Sequence, residues 1–219
     1  MEGLSLQDAV LISVLIIDIL SIILALLMSL KYNKNKAKTY LFWSAGLWVF
    51  AISVFLEILF ALGIYNEFLI STYVFLVALL VELLALGSIQ FFPKFVRVYY
   101  IFCLLSTLAL FISLFFVNIG NIIQNYVVYG ALPLVTTIIS SIITFPAAAI
   151  IIISAILTIK RTSKYKDSSV KFKKRVQMIS IIIGVLFVSL AGTLYIASYP
   201  ELLYWSEFGG IVLLWIGFI

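Results

Sequence analysis

Residues 41–65 read LFWSAGLWVFAISVFLEILFALGIY, an apolar run holding one carboxylate, Glu57, well inside it. About 20 apolar residues suffice to cross a bilayer, so this stretch predicts a membrane-spanning helix. A charged group at that depth costs roughly 2.5–3.5 kcal/mol on insertion scales and therefore requires a partner. Trp43, Gly46, Phe50, Ser53 and Glu57 follow a 3–4 spacing, which places them on one helix face. That face is expected to look into protein, not lipid.

Outward from this run the same pattern repeats. Hydrophobic residues make up 65% of the chain and charged residues 11%, with mean hydropathy +1.27. Ordinary soluble domains hold roughly 45–50% apolar and 25% charged residues. The recurring apolar runs predict an all-α integral membrane protein, a seven-transmembrane-helix bundle forming a single membrane domain over residues 1–219. Helices are expected at 9–30, 41–65, 68–92, 98–117, 133–159, 176–198 and 208–219. The last of these would rise only about 18 Å, so the natural chain is expected to continue past Ile219. Pro146 falls inside the fifth run and should kink it.

Charge placement sets the orientation. Of the 14 lysines and arginines, four lie in residues 31–38 (KYNKNKAK), two are Lys94 and Arg97, and eight lie in residues 160–175 (KRTSKYKDSSVKFKKR). All of these stretches fall on one side of the expected topology. The positive-inside rule then puts the N-terminus outside and sends the last helix to the cytoplasm, in a cell (plasma) membrane. The same rule explains the net charge of +5 without a nucleic-acid partner. Glu67, Glu201 and Glu207 fall in expected outer loops, the last two within YPELLYWSE at 199–207. Trp43 with Tyr40, Tyr99 with Tyr100, and Tyr199, Tyr204 with Trp205 read as interfacial anchors.

Several function classes drop out. The first apolar run lacks a basic n-region and is too long for a cleaved signal, so the first helix is expected to be kept. The chain has no histidine and one cysteine, Cys103, which leaves no CxxC motif, no imidazole metal site and no histidine acid–base chemistry. HExxH, GxSxG, P-loop and GxGxxG motifs are missing. No enzymatic role, cofactor or bound metal is expected. In helix number and orientation the chain resembles microbial rhodopsins and heptahelical receptors, on no motif. That resemblance would imply retinal only with a lysine in the last helix, and FGGIVLLWIGFI at 208–219 has none.

Three acids carry what chemistry there is: Asp18, Glu57 and Glu82. At about 1.5 Å rise per residue they lie roughly 13, 12 and 21 Å below the outer helix ends. No lysine or arginine shares their apolar runs. Three arrangements satisfy the physics. The acids are neutral and hydrogen-bonded to Ser21, Ser53 or Ser88; they hold protons or small cations in a polar cavity; or they face a basic residue on another membrane subunit. Thr136, Ser140 and Thr144 stack at four-residue spacing and, with Ser53, are candidate cavity lining. The leading expectation is a non-enzymatic bundle binding or conducting protons or small cations at Asp18, Glu57 and Glu82. The alternative is an assembly subunit of a larger membrane complex, or the sensor bundle of a signalling protein. Its surroundings are expected to be the lipid bilayer, with other membrane subunits or further copies of itself.

Overall fold

A computed structural model describes the backbone of residues 6–116, 123–124, 127–128, 133–162, 167–196 and 200–218, and side chains within 7–116, 123, 133–162, 167–187 and 205–218. The chain forms α1 (Leu6–Asn35), α2 (Lys38–Ala61), α3 (Glu67–Ile89), α4 (Pro93–Phe116), α5 (Leu134–Thr162), α6 (Ser168–Ile196) and α7 (Pro200–Phe218). Between α4 and α5, Ile123–Gln124 (β1) pairs antiparallel with Val127–Val128 (β2). Spans within α1 to α5 are long and apolar enough to cross a membrane, and Trp205–Phe218 adds a shorter apolar helix. The fold is thus an apolar helical bundle of a multi-pass membrane protein. Large apolar side chains facing outward agree: Phe115, Phe116 and Phe145 are each more than 70% exposed, a surface suited to lipid and not to water.

Neighbouring helices close a ring. α1 packs on α2, α2 on α3, α3 on α5, α5 on α6, α6 on α7, and α7 returns to α1. α4 lies outside the ring, against α3 and α5. Leu47, Phe50, Leu84, Ile151, Val185 and Leu214 meet at the centre around a cavity of about 30 Å³. Polar pins fix the register. Trp43 Nε1 donates to the Leu84 carbonyl at 3.1 Å, Ser154 Oγ to the Ser88 carbonyl at 3.3 Å, and Trp215 Nε1 to the Leu20 carbonyl at 3.0 Å.

The face read from residues 41–65 is present: Gly46, Phe50, Ser53 and Glu57 are all buried. Trp43 and Tyr99 do not serve as anchors. The Trp43 indole sits against Gly87, its ring centroid 4.8 Å from that of Phe218 at a tilt of 50°, and Tyr99 is buried. Tyr199, Tyr204, Glu201 and most of 118–125 lie outside the residues whose side chains are described.

Helix ends depart most from the sequence reading. α7 starts at Pro200, not near 208, because proline without an N–H suits the first helical position and Glu201 suits the first turn. From Pro200 onward the stretch expected as an outer loop is therefore helix, and Glu207 enters the bundle. α4 starts at Pro93 for the same reason, which puts Lys94 and Arg97 in its first turns. α1 runs on to Asn35 and ends beside Lys36, at φ 52°. α6 begins at Ser168, capped by Asp167, whose Oδ1 accepts from Ser169 N (2.8 Å), Ser169 Oγ (2.8 Å) and Val170 N (3.4 Å). Those three donors hold the exposed Asp167 carboxyl below the usual carboxylate range. Asn66 caps α3, its Oδ1 accepting from Leu69 N at 2.9 Å. α5 continues through Pro146 as helix.

Close approach of α6 and α7 rests on Gly217. A Cβ there would run into Ile181 Cγ1 and lie 3.0 Å from the Gln177 carbonyl oxygen. At Gly209 a Cβ would meet only the Phe187 ring, at 3.2 and 3.4 Å. Gly217→Ala is expected to destabilise by about 1–3 kcal/mol, the range for overpacking a filled core. Gly209→Ala should be milder, since a ring edge can turn aside. Thermal unfolding in mild detergent checks this, and equal midpoints for the two variants would contradict the packing described.

Candidate functional site

α2, α3 and α7 build the most unusual polar contact in the described bundle. Glu57, on α2, is 3% exposed, and its Oε1 accepts a hydrogen bond from Tyr73 Oη on α3 at 2.7 Å. The carboxyl of Glu207 on α7, itself 8% exposed, lies beside that of Glu57. Oε2 of Glu57 and Oε2 of Glu207 have no hydrogen-bond partner among the described residues. Ionised carboxylates only accept hydrogen bonds. A hydrogen bond between these two acids therefore needs a proton on one of them, and two like charges in contact within an apolar bundle would repel strongly. The arrangement can hold one proton between two carboxyl groups while Tyr73 steadies one of them.

Glu82 belongs to a different interface. It is 1% exposed on α3, and α4 supplies its donors: Ser106 Oγ at 2.6 Å to Oε1, and Thr107 Oγ1 to Oε2. Tyr73 and Glu82 are nine residues apart, which is about half a turn out of phase at 100° per residue, so they occupy opposite faces of α3. That geometry separates Glu57 from Glu82. Asp18, buried on α1, has no donor for its Oδ1. Glu57 and Glu82 thus find their partners at different helix interfaces, α2–α3 and α3–α4. Among the described residues no group of three or more histidine, cysteine, aspartate or glutamate side chains is placed to hold a metal ion.

The hydroxyls expected to serve these acids turn elsewhere. Ser21 donates to the Ile17 carbonyl, Ser53 to Phe50 and Ser88 to Leu84, each within its own helix at 2.7–2.9 Å. Serine in an apolar helix readily bonds the preceding turn in this way. Ser140 donates to the Thr137 carbonyl at 3.1 Å. Thr136 is fully buried with its Oγ1 unpartnered, and Thr144 is half-buried.

Sequence reasoning missed Tyr73, Ser106, Thr107 and Glu207. Tyr73 carried a signal: α2 and α3 are joined by a short turn through Gly63, at φ 79°. In such a hairpin, residues at matching distances from the turn face each other, as Glu57 and Tyr73 nearly do. Glu207 carried only the Pro200–Glu201 start signal, and the Ser106–Thr107 pair carried none. The chain matches no protein-family model, no curated protein and no solved structure.

Proposed function

We propose that the chain is a seven-span, non-enzymatic protein of the cell membrane that binds and releases a proton at the Glu57–Glu207 pair. Its N-terminus faces outside and its basic helix ends face the cytoplasm, in keeping with the one-sided placement of lysine and arginine. The observation that carries the reading is two buried carboxyls side by side on helices α2 and α7, each with an Oε2 that has no hydrogen-bond partner among the described residues. Intramembrane acids often mark proton and ion routes. Protonation state and helix contact are coupled here. Loss of the shared proton would drive α2 and α7 apart at this level, and its return would draw them together.

The test is infrared difference spectroscopy of the whole protein in liposomes between acidic and alkaline buffer, alongside proton flux read by a dye trapped inside. Wild type should show the carbonyl band of a protonated carboxyl at acidic pH, weakened when alkaline. Glu57→Gln with Glu207→Gln should remove that change and reduce any flux at least tenfold, whereas Glu82→Gln should leave both. A pH-dependent carboxyl band unchanged in the double variant would overturn the proposal.

The assembly-subunit reading has one observation in its favour, the buried Asp18 with no donor on Oδ1. Val14 and Ser21, one turn to either side of it, are fully buried, so a partner would meet Asp18 only from within the bundle, while the outward Leu15, Ile16 and Ile19 give α1 a surface for a second subunit. Mass measurement of the intact particle from mild detergent separates the two readings. A hetero-complex favours a partner at Asp18, and the chain alone favours the proton site.

A further inference from the structure

A second cavity lies away from the carboxyl pair, where the end of α3, the start of α4 and the middle of α5 meet. It measures about 580 Å³, within the roughly 300–1,000 Å³ typical of small-ligand pockets. Phe95, Val98 and Phe102 of α4 form one wall, and Pro146, Ile150 and Ile153 of α5 the other. Phe95, Val98 and Ile153 are more than half exposed, so the cavity opens sideways from the bundle. In a bilayer it opens onto acyl chains.

Two polar features mark its end at the start of α4. Lys94 and Arg97 are exposed in the first turns of α4, interleaved with the lining residues Phe95 and Val98. They stand at a helix N-terminus, whose free N–H groups and dipole also favour an anion. Deeper in, Tyr99 lines the cavity, is 7% exposed, and has no hydrogen-bond partner for its hydroxyl. The neighbouring Cys103 sulfur is only a weak acceptor for that hydroxyl. Tyr99 lies six residues from Pro93, hence about 9 Å below the helix start.

We infer that this cavity is a binding site for an anionic glycerophospholipid. Lys94 and Arg97 take the phosphate, Tyr99 Oη donates to the ester carbonyl below it, and one acyl chain lies between α4 and α5 against Pro146. The order cation, hydroxyl, apolar slot follows the order phosphate, ester, chain in such a lipid. Basic pockets between membrane helices recognise anionic headgroups by the same charge logic.

The test titrates the whole protein in mild detergent with dioleoyl phosphatidylglycerol, dioleoyl phosphatidylcholine or oleate, reading the thermal midpoint. Phosphatidylglycerol should raise it by about 5–10 °C at a hundredfold excess over Kd, and the other two by much less. Lys94→Gln with Arg97→Gln should erase the preference for phosphatidylglycerol. Ala149→Phe, which fills the slot from its exposed lining position, should erase the rise itself, and circular dichroism reports whether each variant is folded. Equal stabilisation by phosphatidylglycerol and phosphatidylcholine would overturn the inference. So would a rise with oleate matching that with phosphatidylglycerol, or a preference that survives Ala149→Phe or the double substitution. Tyr99→Phe gives a second reading: it should weaken phosphatidylglycerol several-fold and leave an ether-linked analogue unaffected, and equal loss for both lipids would remove Tyr99 from the site.

Discussion

Ser106→Ala combined with Thr107→Val should lower the thermal midpoint in detergent more than removal of the acid they serve. The two hydroxyls are the donors to Glu82, on Oε1 and Oε2 respectively. Without them a carboxyl that is 1% exposed keeps its burial and loses its hydrogen bonds. A hydrogen bond contributes about 0.5–1.5 kcal/mol when neutral and about 1.5–3 kcal/mol when one partner is charged, and an orphaned buried group forfeits its hydration as well. A combined loss of about 3 kcal/mol is expected, or roughly 6–12 °C for a chain of this length. Glu82→Leu is the opposite case. Ser106 Oγ still has the Phe102 carbonyl at 2.8 Å and the Cys103 carbonyl at 3.2 Å, and threonine in a helix can turn to its own preceding turn. An apolar side chain of similar size then replaces a satisfied polar one, with a change within about 1 kcal/mol. If the two donors can be removed without effect while Glu82→Leu unfolds the protein, Glu82 has another partner and the α3–α4 interface is not as described.

That asymmetry shows which levels of the structure a membrane sequence carries. The apolar runs were legible because a bilayer demands about 20 apolar residues per crossing, and α2 and α3 appear close to where those runs put them. The inward face of α2 was legible too, since Gly46, Ser53 and Glu57 are residues that lipid would reject. Helix ends were less so. Charge was read as loop, yet Lys34, Lys94, Arg97 and Lys171 all lie on helices, where long basic side chains reach water while the backbone stays hydrogen-bonded. Order in the plane left no trace in hydropathy. A helix surrounded by lipid and by other apolar helices needs no amphipathic stripe, so nothing in residues 93–116 says that α4 stands outside the ring. The partners of the acids depended on that order. Glu82 found hydroxyls on α4, Glu57 found a tyrosine across a hairpin and an acid from α7, and Asp18 found no donor for Oδ1 among the described residues.

The contact between Glu57 and Glu207 makes a prediction about stability that does not depend on transport. Glu57→Leu leaves Glu207 buried at the α2–α7 contact without the carboxyl it meets there. The expected loss is about 1–3 kcal/mol if Glu207 takes up a proton, and about 3–5 kcal/mol if it stays charged. Glu207→Leu should be milder, because Tyr73 still donates to Glu57 at 2.7 Å. Replacing both acids by leucine removes two buried polar groups and fills the same space with apolar atoms, which is often neutral or stabilising for a buried pair. The double variant should therefore be more stable than Glu57→Leu alone, with a coupling of about 1–3 kcal/mol in a double-mutant cycle. Strictly additive single effects would mean that the two carboxyls do not meet. A folded, stable double-leucine variant also sharpens the functional question, because it separates proton binding from bundle integrity. Should it keep the wild-type carboxyl band, the proton resides elsewhere; should it lose the band while the helices remain, the two acids are its site.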